Sequence, residues 1–309
     1  MHGPSLRVWL TMALAVPCSS TPTTAQQPPA FRTGIDLVNV GVTVTDRKGG
    51  LVTDLAADDF EIYEDGRKQT IAYFAPGDAS GGLVPPMHLA VLLDVSESMG
   101  EDLSFTKTAS IKFLNRLTDA VDITVLDFDT EVRAARYEQG AFARLVERIR
   151  QSKARGFTAL YDAIGVYLDG AAADEGRKIM LLYTDGGDTR SSMPFHELLD
   201  LLKASDVTMY PIGELEHQPS SSRIEQRMQL QQMAALTGGQ AFFPTSVREL
   251  DAIYDKVVAE IRAQYTVGYV STNEKADGAW RKVDVKIARA EPRGRRVRAR
   301  NGYFARFKP

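Results

Sequence analysis

Residues 179–183, Ile-Met-Leu-Leu-Tyr, are apolar without interruption, and no other stretch constrains the fold as strongly. A strand with one wet face alternates apolar and polar side chains, so an unbroken run reads as a strand covered on both faces. The flanking sequence offers the cover. Strand candidates lie at His88–Asp94, Asp122–Phe128, Lys178–Thr184, Val207–Ile212 and Gln240–Phe243. Helical periodicity fills the gaps: Phe105, Ala109, Phe113 and Leu117 recur four apart, and further patterns cover 141–150, 160–172, 194–204 and 224–236. Leu250, Ile253, Tyr254, Val257, Val258 and Ile261 make one apolar stripe of a last helix, which runs without a breaker into strand-like Tyr265–Val270. Strand alternating with helix predicts an α/β, doubly wound, mainly parallel sheet with helices on both faces.

The two ends of the chain carry a different period. Val38, Val40, Val42 and Val44 alternate, as a half-buried strand requires. Phe60–Tyr63 and Gln69–Phe74 flank Glu64-Asp65-Gly66, a hairpin signal, while 281–288 and 296–300 read as late strands. Residues 31–75 are too few to close a core alone. The economical arrangement is a β-sandwich built from 31–75 and 264–309, with an α/β domain over 87–263 inserted between them. Residues 76–86, rich in Pro and Gly, are the linker.

Composition excludes little but is useful for compartment. The chain is 44% hydrophobic and 25% charged, as globular proteins are, and a formal charge of −3 implies no steering toward nucleic acid. Residues 1–25 read as an export signal: Arg7, then apolar Val8–Val16, then small residues at Thr23-Thr24-Ala25. The apolar run is too short to span a bilayer as a helix. An uncleaved anchor and lipid attachment at Cys18 are rival readings, the second weakened by Pro17. Cleavage after Ala25 removes the single cysteine, so the product is expected to be disulfide-free and either periplasmic or secreted. No later stretch is apolar enough to span a membrane.

The chemistry concentrates at strand ends. Val91–Leu93 runs into Asp94, followed by hydroxyls at Ser96 and Ser98. Thr158 lies in a loop just before a helix, and Asp185 ends the central apolar strand before Gly186-Gly187. In open α/β sheets ligands bind beyond the carboxyl ends of the strands. Two carboxylates and three hydroxyls there would suit a hard divalent cation. Each segment also has a plainer reading: Ser96 or Ser98 as a helix N-cap, and Asp185-Gly186 as a turn.

Taken in order, Asp94-x-Ser96-x-Ser98, Thr158 and Thr184-Asp185-Gly186 resemble the von Willebrand factor A domain family over residues 87–263. The flanks, including 58–66 and Arg300-Asn301-Gly302-Tyr303-Phe304, are similar to an exported subgroup abundant in acidobacteria. The resemblance implies a metal-ion-dependent adhesion site in which Asp94, Ser96, Ser98, Thr158 and Asp185 hold a divalent ion. Mg²⁺ is the expected ion, with Ca²⁺ and Mn²⁺ as alternatives. The partner would be a protein or other extracellular ligand presenting an Asp or Glu carboxylate to the ion. The resemblance also suggests a last helix that shifts on ligand engagement.

A hydrolase using Asp94, Asp185 and Asp188 is the competing reading, and a structural envelope protein is the third. Catalysis is disfavoured because no GxSxG, HExxH or Walker loop is present, and His88, His196 and His217 read as surface residues. Asp127 and Asp129 read as solvated carboxylates at a strand end, with a supporting role at the metal site as the alternative. The late arginines, Arg296, Arg298 and Arg300 among them, read as solubilising charge on an edge strand.

Overall fold

A computed structural model describes residues 37–77, 85–288 and 294–307. The expected export signal with Cys18, and most of the expected linker, lie outside the described residues. The chain opens with β1 (Leu37–Thr45), β2 (Phe60–Glu64), β3 (Arg67–Gln69) and β4 (Ile71–Ala75). Then come β5 (Met87–Asp94), α1 (Leu103–Leu114), β6 (Asp122–Phe128), β7 (Val132–Glu138), α2 (Phe142–Gln151), α3 (Leu160–Ala171) and β8 (Arg177–Thr184). They are followed by α4 (Phe195–Ala204), β9 (Val207–Gly213), α5 (Ser220–Leu236) and α6 (Val247–Ala263). The chain closes with β10 (Tyr265–Val270), β11 (Trp280–Ile287), β12 (Arg296–Ala299) and β13 (Gly302–Phe304).

The central sheet has the order β7-β6-β5-β8-β9, parallel except for β7. The alternation of Ile179–Tyr183 between faces shows why that run had to be apolar throughout. Ile179, Leu181 and Tyr183 pack with α1, α2 and α6 on one face; Met180 and Leu182 pack with α3, α4 and α5 on the other. All five are fully buried. The chain leaves β5 toward β6 on one side and later returns to β8 on the other, so the strand order reverses beside β5.

The ends of the chain form two four-stranded antiparallel sheets, β12-β1-β10-β4 and β13-β11-β2-β3. Their inner faces share one core: Val38, Val40, Val42 and Val44 meet Phe60, Ile62, Tyr265, Val267, Tyr269 and Val283. Phe60 and Tyr265 stack edge to face at 5.1 Å, and the Tyr265 hydroxyl donates to Val52 O and accepts from Leu55 N–H.

Three expectations need correction. Gln240–Phe243 is not a strand; Phe242 makes one isolated parallel bridge to Ile212 before Pro244 ends the extension. The fifth strand is instead β7, at the opposite edge of the sheet, which folds back on β6 after a turn at 129–131 and alternates too weakly to be read in advance. Gln69–Phe74 is not one strand: it breaks at Thr70, so β3 pairs with β2 while β4 joins β10 in the opposite sheet. Two of the late arginines, Arg298 in β12 and Arg300 just after it, are not merely solvated. Arg298 pairs with Glu260 of α6, which is 1% exposed, and donates to Gln240 Oε1. Arg300 donates to Asn39 O and Ser205 O. An arginine reaching both a sheet edge and a buried helix carboxylate ties the sandwich to the α/β unit.

Candidate functional site

β5 delivers Asp94 to the carboxyl end of the sheet, fully buried between β6 and β8. Its Oδ1 accepts from Ser96 N–H at 3.0 Å and from Ser96 Oγ at 2.6 Å, and Ser96 Oγ lies 3.1 Å from Ser98 Oγ. Ser96 is buried and Ser98 exposed. The capping alternative is settled by those contacts. Ser96 stands at the N-cap of a short 3-10 turn, Glu97–Met99, but its hydroxyl makes no capping bond; Asp102 occupies the N-cap position of α1.

The second strand end meets the first directly. Thr184 Oγ1 donates to Asp94 Oδ2 at 2.7 Å and accepts from Gly186 N–H at 3.0 Å. Asp185 does form a turn, with Oδ1 accepting from Gly187 N–H at 2.8 Å, while Oδ2 accepts from Gln218 Nε2 at 2.9 Å. Gly186 has φ +83°, a conformation few side chains tolerate, and a Cβ there would press on Gln226.

The third segment is held by backbone bonds. Arg155 N–H donates to Val95 O at 2.9 Å, and Gly156 O accepts from Glu97 N–H at 3.0 Å, so the loop lies against the Ser96–Ser98 turn. Phe157 N–H donates to Thr130 Oγ1, and Thr158 O accepts from both Thr189 and Arg190 N–H. Thr158 is buried, whereas Phe157 is 64% exposed. Asp129 anchors this loop from β6. Burial opposes its ionisation, but Arg133, Glu131 N–H and Arg155 together hold its carboxyl down at about 2. Asp129 and Asp127 are therefore not solvated strand-end carboxylates: Asp129 is 3% exposed and Asp127 pairs with Arg133 and Arg148.

The electrostatics distinguish Asp94 and Asp185 from those pairs. Neither has an ion-pair partner among the described residues. Burial first, and then the charge of Asp185, push the Asp94 carboxyl up to about 7, against the pull of the Ser96 and Thr184 donors. Two buried, mutually repelling carboxylates among neutral hydroxyls form a donor set whose chemistry fits a divalent cation. Among the described residues no group of three or more His, Cys, Asp or Glu is placed to hold a metal, so any ion here depends on the hydroxyls.

The third carboxylate of the hydrolase reading is engaged elsewhere. Asp188 Oδ1 accepts from Tyr161 N–H at 3.2 Å, at the start of α3, and from Ser191 Oγ at 2.6 Å. Among the described histidines, His196 and His217 are exposed. His88 is half-buried at the amino end of the sheet, between Asp122 at 2.9 Å and Glu175 O. Two residues near the site had no sequence signal. Gln218 reaches Asp185 from the loop after β9, and Glu214 begins that loop, with its N–H on Thr184 O. Only the pairing of β8 with β9 brings them close.

No curated protein matches the sequence. Among solved structures, a von Willebrand factor type A protein from Catenulispora acidiphila is 12% identical over 90% of this chain and 76% of that one, with TM-score 0.49. BatB from Bacteroides thetaiotaomicron is 14% identical over 56% of this chain and 98% of its own, TM-score 0.45. The vWF domain of the type V pili tip protein Mfa5 from Porphyromonas gingivalis is 12% identical over 58% and 97%, TM-score 0.48. The model of the von Willebrand factor type A domain matches residues 88–256, more than half of the chain. With its doubly wound sheet and covered faces, this chain belongs to the von Willebrand factor type A domain family.

Proposed function

We propose that the protein binds a partner through a divalent cation held by Asp94, Ser96, Ser98, Thr158 and Asp185. One observation carries this reading: the Ser96 and Thr184 hydroxyls join the turns after β5 and β8 at a buried carboxylate, Asp94, that lacks a cationic partner, and backbone bonds from Arg155 and Gly156 lay the Thr158 loop against the first of those turns. Mg²⁺ is the favoured ion, since hydroxyls and carboxylates are hard donors, with Ca²⁺ and Mn²⁺ as alternatives. The bound ion supplies positive charge at the carboxyl end of the sheet. The three hydroxyls add no charge to that of the two carboxylates and five ligands leave a position on a six-coordinate ion open, so an Asp or Glu of a protein or other extracellular partner is the matching ligand. Exposed Phe157, one residue before Thr158 on a loop fixed by backbone bonds, adds an apolar contact beside it.

Binding rather than turnover is the reading adopted, because both Asp94 oxygens are already held by Ser96 and Thr184 and Asp188 is occupied at α3. Site of action is proposed to be the periplasm or the exterior, on the signal-like residues 1–25. Among the described residues no helix is long and apolar enough to cross a membrane.

Calorimetric titration of Mg²⁺, Ca²⁺ and Mn²⁺ into wild type and Asp94→Ala tests the metal. Saturable binding in wild type and at least tenfold loss in the variant are expected; equal binding by both sinks the assignment. Capture of envelope proteins with Mn²⁺ or with EDTA tests the partner. Proteins retained equally under both conditions do not use the ion.

A further inference from the structure

Beside α1 lies a cleft of about 200 Å³ that the proposed metal site does not use. Its wall carries Asp102, Glu214, Glu216 and His217, together with Phe105 and residues 244–246. Among the described residues no lysine or arginine lines it. Glu214 is the unusual member. It is 5% exposed, its Oε1 accepts from Thr106 Oγ1 at 2.9 Å, and its Oε2 is buried with no hydrogen-bond partner. A buried carboxylate oxygen without a donor is a costly arrangement in a folded protein. Burial, and the fields of Asp102, Asp94 and Asp185, push this carboxyl up to about 9, against the Thr106 bond. The other acids are already committed or outward-facing: His217 Nδ1 sits 3.0 Å from Asp102 Oδ2, and Glu216 is exposed at the rim.

The wall selects a ligand class. Even with the Glu214 carboxyl protonated and His217 charged, the other two acids, Asp102 and Glu216, leave the cleft negative. The carboxylates do not converge as a metal cage requires. The volume is below the ~300 Å³ at which pockets for whole drug-sized molecules begin, and it suits one alkyl chain with a charged head. An aromatic ring beside carboxylates favours a cation carrying apolar carbon.

We propose that this cleft binds an organic cation, an alkylammonium or alkylguanidinium group, with its charge toward Glu214 and its carbon chain along Phe105. The cation supplies the missing donor to Glu214, and in doing so allows the carboxyl to ionise as a charge-assisted pair. The same head group can come from a free small amine or from a lysine or arginine side chain of another protein. The site is distinct from the proposed metal cluster, although the Glu214 N–H bond to Thr184 O makes the two neighbours.

Amide NMR titration of the whole protein in EDTA tests this, with agmatine, butylammonium, an end-blocked Gly-Gly-Lys-Gly-Gly peptide, and uncharged butylurea. Saturable shifts confined to residues 102–106, 214–217 and 244–246 are expected with agmatine and butylammonium and absent with butylurea. Saturation by the lysine peptide as well assigns the site to side chains; failure of the peptide alone assigns it to free amines. Glu214→Gln, which keeps an acceptor for Thr106, should bind about tenfold more weakly, the effect of making one charge-assisted contact neutral. Glu216→Gln, an exposed change that leaves the core intact, should weaken binding severalfold. No saturation by either amine, equal response to butylurea, or unchanged affinity in both variants overturns the proposal.

Discussion

Thr184 Oγ1 donates to Asp94 Oδ2 at 2.7 Å, joining the ends of β8 and β5 through two side chains rather than through the sheet ladder. Both residues are fully buried, and the same hydroxyl accepts from Gly186 N–H, so it sets the turn that carries Asp185. Thr184→Val keeps the shape and removes both bonds. It should destabilise the metal-free protein by about 2 kcal/mol, the penalty for leaving buried partners unpaired, and weaken divalent-ion binding. Thr184→Ser should restore both. Urea unfolding in EDTA reads the first effect and calorimetry the second; a Val variant as stable as wild type contradicts this account.

Asp129 carries the loop that holds Thr158. Arg155, through Nε at 2.9 Å, and Arg133 both end on its carboxylate. Asp129→Asn should lower stability by about 2 kcal/mol, because it leaves two guanidinium groups under-compensated next to a buried amide. The local signature is faster hydrogen exchange at Arg155 and Phe157, with exchange in β9 following only the global change. Uniform acceleration through the whole sheet would mean that Asp129 supports the fold and not the loop.

Glu214 makes stability depend on pH in a direction opposite to an ordinary paired acid. Its carboxyl rises from 4.5 to about 9 on folding. Below pH 4.5 both states hold the proton; as pH climbs toward 9 the unfolded chain releases it while the folded chain keeps it. Stability from this group is therefore full in acid and falls through that window by up to roughly 1.4 kcal/mol per pH unit. Glu214→Gln lacks the titration. Near pH 5 the variant and wild type should be similar, and at pH 8 the variant should be more stable by on the order of 2–4 kcal/mol. Urea midpoints at the two pH values decide it, and a gap that does not widen with pH refutes it.

Arg298 and Glu260 should show strong coupling. Glu260 is buried in α6, and Arg298 reaches it from β12. Arg298→Ala should cost about 3 kcal/mol by stranding a buried charge, while Arg298→Met with Glu260→Leu should recover most of that loss. Additive single-site effects in a double-mutant cycle would show that the pair does not bind the two parts of the chain together.

The elements that could be read in advance are those whose pattern depends on burial alone. Ile179–Tyr183, the valines of β1 and the stripe of α6 announce their faces because each buries a fixed period. β6 and β10 span the residues their strand patterns predict, Asp122–Phe128 and Tyr265–Val270. What escaped was set by partners. β7 is a strand because β6 offers it an edge, and the break at Thr70 exists because two sheets compete for one run of sequence. At the site, Asp94, Ser96, Ser98, Thr158 and Asp185 stood out by residue type at strand ends, and the structure draws their three segments together. Gln218 and Glu214 had no such signal, since a glutamine or glutamate after a strand is ordinary until its neighbours are known. Arg298 was misread for the same reason: an arginine on an edge strand looks solvated unless a buried glutamate faces it.

β1 pairs with β10 and β12, and those partners enter the sequence more than two hundred residues later, as in Val38 with Tyr269 and Val44 with Val297. The parallel sheet, by contrast, draws every strand from a continuous middle portion. The order of assembly follows. While the chain emerges from amino to carboxyl end, the middle can close on itself, but β1 waits with both edges open until the last helix and its following strand arrive. An apolar, twice-open strand held idle in this way is the part of an unfinished chain most prone to wrong pairing. A protein interrupted after α6 would thus be left with a completed ligand-facing sheet and a sticky leading end.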